Sequence, residues 1–169
     1  MGCHVRGFDI VPEHIDALKA RAKDLGIENI VASVDDAYTY QDGSKYDIII
    51  ASEVFEHLLE PSRVAINIKE HMNVGSWLIV TTPNGYGPWE LKNKLDIRKR
   101  LTRCNLLRRM MGKKPYVWGN GSDHCQFYTM GRLLRMFSQH SFRAMDSGKS
   151  DSLLAIFGPL RRSRFIGQN

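Results

Sequence analysis

Two carboxylates and an imidazole fall within five consecutive residues of this chain, Glu53-Val54-Phe55-Glu56-His57. If a helix begins at Glu53, then Glu53, Glu56 and His57 stand at i, i+3 and i+4 and share one face. That donor set suits Mg²⁺, Mn²⁺ or another divalent ion. A hydroxyl brought to such an ion loses its proton more readily and becomes a nucleophile without a strong separate base. Without metal, His57 or the distant His124 is the candidate general base, because imidazole titrates near neutral pH. The structural alternative is that Glu56 and His57 only order the loop before a helix opening at Pro61.

Other polar residues stand at the ends of short strand-like runs: Asp9 near the end of Cys3–Ile10, Asp35-Asp36-Ala37 after Asn29–Val34, and Ser52 after Ile48–Ala51. An acid ending the second strand of a nucleotide-binding unit can accept from both hydroxyls of a ribose. Asp9 is equally placed to cap the helix starting near Pro12. Asp36 beside small Ala37 can meet an adenine amino group or simply hold a turn. Both alternatives stand for each acid.

The elements that must position these residues alternate strand and helix. Cys3–Ile10 reads as a strand. A helix follows from Pro12 with Ile15, Leu18, Ala22 and Leu25 at helical spacing and Gly26 as C-cap. Asn29–Val34 is the next strand, and Gln41–Ser44 is turn chemistry. Tyr46–Ala51, apolar on both faces, suits a central strand of a parallel sheet covered on both sides. A helix from Pro61 carries Val64, Ile68 and Met72, and Trp77–Thr82 is a further strand. Helical spacing runs from Trp89 to Met111. Thr129 precedes a helix bearing Leu133, Leu134 and Phe137, and Phe142–Met145 is a short strand. Leu153–Phe157 fits helix or strand. The pattern predicts one α/β domain over 1–169, a Rossmann-like parallel sheet with helices on both faces.

Composition narrows the setting. The net charge of +6 is concentrated in Ile97–Lys114, which holds eight Lys/Arg and no acid. The basicity therefore belongs to one amphipathic element within a helical insertion at about 89–114, which argues against a nucleic-acid partner. Such a helix suits peripheral contact with a membrane surface or an anionic substrate. Tyr86, Trp89, Tyr116 and Trp118 near it suit an apolar substrate pocket. Cys3, Cys104 and Cys125 form no CxxC pair, the usage of a reducing compartment. No apolar stretch approaches the roughly 20 residues of a membrane helix. The expected location is the cytoplasm.

The series FDIVPEHIDALKARA, VDDA and YDIIIASEVFEHLLEPSRVAINIKEHMNVGSWLIVTTPNGYG resembles the class I S-adenosylmethionine-dependent methyltransferases, over roughly residues 4 to 87. The resemblance implies that Asp9, with Ile10, holds the cofactor's ribose, that Asp36 and Ala37 flank its adenine, and that Ala51 and Ser52 line its methionine side. Glu-x-x-Glu-His is similar to the metal-binding stretch of ubiquinone-pathway O-methyltransferases and of small-RNA 2′-O-methyltransferases. In the latter a later histidine completes the site, here His124. By that likeness the metal set is Glu53, Glu56, His57 and His124. The family's first βα unit and its GxGxG loop have no counterpart in these residues, so weak binding of S-adenosylmethionine is expected. The implied activity is O-methylation of a small or lipid-like acceptor. The rivals are RNA 2′-O-methylation and a catalytically inactive interaction domain.

Overall fold

A parallel strand pair can be joined only through a crossover, and the first 44 residues supply one. The structure is a computed structural model that describes residues 2–85, 105–114, 124–149 and 152–159. In the unit Met1–Ser44, β1 (Val5–Asp9) runs into α1 (Pro12–Asp24) and returns as β2 (Ile30–Val34). The strands pair in parallel from Val5 opposite Ile30 to Asp9 opposite Val34. Pro12 occupies the first turn of α1, where its missing N–H costs nothing. Ile15 and Ala22 are the buried positions of that helix. Gly26, at φ +64°, lets the chain reverse so that the Ile27 N–H donates to the Ala22 carbonyl at 2.9 Å.

The unit Lys45–Asn169 begins with β3 (Tyr46–Ser52) and one turn of 3₁₀ helix (Phe55–His57). It continues through α2 (Pro61–Glu70), β4 (Met72–Pro83), α3 (Asn105–Met110), α4 (Met130–Gln139), β5 (Phe142–Lys149) and β6 (Ser152–Pro159). The strand order is β3-β4-β6-β5, with β3 and β4 parallel and β6 antiparallel to both neighbours. Only two residues separate β5 from β6, too few for the dozen or so of a parallel crossover. Leu153–Phe157, left open between helix and strand by its pattern, is therefore strand. Its alternate residues Leu153, Ala155 and Phe157 are buried opposite Thr82, Val80 and Leu78 of β4.

That face of the sheet holds the core. Phe137 of α4 lies 4.4 Å from Phe157, 5.0 Å from Phe55 and 5.4 Å from Phe142 between ring centroids. Thr129 caps α4, its hydroxyl accepting from the Arg132 N–H at 3.3 Å. The other face differs from expectation. Ile48 and Ile50 are 57% and 65% exposed, and Trp77, opposite Ile48, is also exposed. Among the described residues β3 pairs with β4 alone, so it stands at an edge of this sheet rather than at its centre. A run apolar on both faces reports the composition of a strand, and neighbours decide its burial.

Met72 also moves, from the end of a helical stripe to the first residue of β4. Of the long helix expected from Trp89, only α3 is described. Tyr86, Trp89, Ile97, Leu101, Cys104, Tyr116 and Trp118 lie outside the described residues.

Candidate active site

In Met1–Ser44 the predicted cofactor residues sit at the ends of β1 and β2. The Asp9 carboxylate accepts from the Val11 N–H at 2.8 Å and lies 3.1 Å from His14 Nδ1. Neither contact caps α1, whose N-cap is Val11 with no side-chain cap hydrogen bond; Asp9 closes a turn ahead of the helix, and its carboxylate stays 41% exposed. Ile10 beside it is exposed. The Asp36 side chain accepts from the Tyr38 N–H at 2.9 Å, and its carbonyl accepts from Thr39 and Tyr40. Asp36 and Ala37 thus belong to one tight turn after β2.

In Lys45–Asn169 the end of β3 places Ala51 inside and Ser52 outside, because successive strand residues face opposite ways. The Ser52 hydroxyl pairs with that of Thr81 on β4 at 3.0 Å. Glu53 then takes φ +54° while its N–H donates to the Thr81 carbonyl at 3.0 Å. That left-handed residue ends the strand abruptly and starts no helix. Only Phe55–His57 is helical, as a single 3₁₀ turn. The expectation that Glu53 shares a helical face with Glu56 and His57 is therefore corrected: Glu53 points to solvent.

Glu56 turns the other way and is 1% exposed. Its Oε2 accepts from the Thr82 hydroxyl at 2.9 Å, while its Oε1 is buried without a hydrogen-bond partner and lies 3.8 Å from His57 Nε2. Desolvation pushes this carboxyl above its ordinary value of 4.5, and the nearby Glu53 charge adds to that. Its own backbone N–H, the Thr82 hydroxyl and His57 pull the other way.

His124 arrives through backbone contacts. The N–H groups of Cys125 and Gln126 both donate to the Glu56 carbonyl, at 2.8 and 2.9 Å. The Cys125 thiol lies 3.3 Å from the Leu58 carbonyl. This clamp puts the His124 ring 4.9 Å from that of His57. One ligand atom from each of Glu56, His57 and His124 lies within 4.8 Å of the others. Sixty-six residues lie between His57 and His124, and no spacing rule announces the pair.

Gly85 secures the clamp from the other end. Its N–H donates to the Tyr128 carbonyl at 2.7 Å, and a Cβ added there would meet that same oxygen at 2.7 Å. Gly85→Ala is expected to cost about 1–3 kcal/mol, because the opposing atoms are backbone and cannot step aside. Urea unfolding measures it; an unchanged midpoint would show that the segment moves freely.

An orphaned, buried carboxylate oxygen facing two imidazoles fits a divalent cation, which would satisfy it. With Glu53 outside, the set is one oxygen and two nitrogens, which suits Mn²⁺, Fe²⁺, Co²⁺ or Zn²⁺ better than Mg²⁺.

Comparison with known proteins bears on the fold and the family. The chain is 26% identical over 85 residues to a ubiquinone biosynthesis O-methyltransferase of Shewanella pealeana, a match covering 50% of this chain and 36% of that protein. The match thus spans about a third of that relative's length. An S-adenosylmethionine-dependent methyltransferase of Clostridium acetobutylicum has a similar structure, with TM-score 0.63 and 8% identity over 91% of this chain and 74% of that one. Magnesium protoporphyrin IX methyltransferase of Synechocystis, solved with bound SAH, gives TM-score 0.61 and 16% identity over 94% of this chain and 65% of that one. These likenesses place the fold among Rossmann-like methyltransferases. A methyltransferase-domain family matches residues 1–146, and the chain belongs to that family of S-adenosylmethionine-dependent methyltransferases.

Proposed function

We propose that this chain serves S-adenosylmethionine-dependent O-methylation of a small, lipid-like hydroxyl compound, with Glu56, His57 and His124 preparing the acceptor. The observation that carries the reading is the unsatisfied Oε1 of buried Glu56 beside two imidazoles. The likeness to a ubiquinone biosynthesis O-methyltransferase supports a lipid-like acceptor. Exposed Leu106 and Met110 beside Arg108, Arg109, Lys113 and Lys114 support contact with an anionic membrane surface at α3.

The cofactor supplies an electrophilic methyl group. Asp9 would accept from the ribose hydroxyls, its carboxylate being exposed and shared at Oδ2 with a solvent-facing His14. Ile10 would offer apolar contact beside it. The Asp36–Ala37 turn would flank the adenine. A divalent ion held by Glu56, His57 and His124 would make an acceptor hydroxyl easier to deprotonate. Without an ion, His57 or His124 takes the proton at a ring nitrogen. Transfer itself then depends on holding the two reactants in line and away from water.

The test is methyl transfer from labelled S-adenosylmethionine, at millimolar concentration, to catechol and quinol acceptors, with and without chelator. Transfer lost in chelator and in both His57→Ala and His124→Ala is the expected result. Transfer that resists chelator but fails in the alanine variants assigns an imidazole base instead. Undiminished transfer in all of them, or label entering RNA alone, would overturn the reading.

A further inference from the structure

We propose that Thr82 is a positioning residue: its buried hydroxyl orients Glu56 so that one carboxylate oxygen is presented to the space between His57 and His124. The inference rests on the cation reading of that site. It names the group that makes the site's geometry.

Thr82 is 0% exposed and lies on the sheet face formed by Leu78, Val80, Leu153, Ala155 and Phe157. The residues beside it in that layer, Val80 and Leu153, are apolar, and packing alone is served by valine, which has the same branched shape. A hydroxyl there is costly unless bonded. Its bond is to Glu56 Oε2, at 2.9 Å.

The consequence for Glu56 is directional. A glutamate's terminal torsion is broad and nearly two-fold, so packing alone leaves the carboxylate free to choose among many rotations. Fixing Oε2 on Thr82 selects one, and Oε1 is then the oxygen 3.8 Å from His57 Nε2. The donor is itself held firmly. β4 is bonded on both sides, through Thr81 opposite Ser52 of β3 and Thr82 opposite Leu153 of β6. The strand's alternation also sends the two adjacent threonines to different tasks, Thr81 to the Ser52 hydroxyl and Thr82 to Glu56.

The test is Mn²⁺ binding followed by its paramagnetic resonance signal, with no cofactor or acceptor added, on wild type, Thr82→Val and Thr82→Ser. Unfolding curves on the same samples establish that each variant is folded. Valine is expected to weaken Mn²⁺ binding roughly 10–100-fold, the usual cost of removing an outer partner of a ligand. Serine, which keeps the hydroxyl, is expected to restore it. Should valine disrupt the sheet, Thr82→Ala gives the same comparison. Wild-type affinity in the folded valine or alanine variant overturns the proposal, as does a serine variant no better than valine. Failure of the wild type itself to bind Mn²⁺ overturns the cation reading, and this inference falls with it.

Discussion

Glu56→Gln is expected to stabilise the ion-free protein at neutral pH while removing its capacity for divalent cations. Burial is the main reason that this carboxyl sits above its ordinary value of 4.5. The fold therefore favours its neutral form. Stability contributed by that neutral form is fully present below 4.5 and is lost as pH rises through the higher folded-state value. Glutamine stays neutral throughout. The variant's advantage should open as pH climbs from 4.5 and level off once Glu56 is fully ionised, reaching about 1–3 kcal/mol, the cost of a buried group left unsatisfied. A divalent ion should close the gap by stabilising only the wild type through mass action. Loss of a direct ligand should weaken binding by more than the roughly 10–100-fold seen for outer partners. Urea midpoints between pH 4 and 8, with and without Mn²⁺, measure this. Parallel curves at every pH would show that Glu56 is already satisfied.

Phe137→Ala is expected to be the most destabilising single truncation in Lys45–Asn169. Its side chain is fully buried, and it touches the rings of Phe55, Phe142 and Phe157. Those partners come from the 3₁₀ turn and two strands, so no one of them can collapse into the void alone. The loss should be about 3–5 kcal/mol. Thermal unfolding reads it, at roughly 2–4 °C per kcal/mol for a chain of this size. Phe55 is the residue before Glu56, so the same cavity loosens the turn that carries the acid. A melting temperature unchanged within error would mean that the aromatic cluster is not the core.

The strands and helices of residues 5–83 were legible because their apolar spacing, Pro12, Pro61 and Gly26 speak locally. Thr129 announced α4 in the same way. Sheet order did not follow from those signals. Ile48 and Ile50 look like central-strand residues, and only pairing reveals that β3 has a single neighbour among the described strands. Leu153–Phe157 has no local preference that decides between helix and strand. The shortness of its link to β5 and the partners on either side settle it.

At the Glu53–His57 cluster the sequence by itself determined the inventory: two carboxylates and an imidazole after an apolar strand, with His124 far downstream. It did not determine which of them meet. Helical spacing grouped Glu53 with Glu56 and His57. A positive φ at Glu53 breaks that face, and two amides clamped on the Glu56 carbonyl bring in His124, which only the family likeness had added to the set. Which oxygen of Glu56 is left exposed to the histidines was likewise settled by Thr82, a residue indistinguishable in sequence from its neighbour Thr81. Local chemistry names the candidate ligands, because residue type is local. Their assembly is decided by backbone conformation and by contacts between strands and loops distant in the chain, and those exist only in the folded protein.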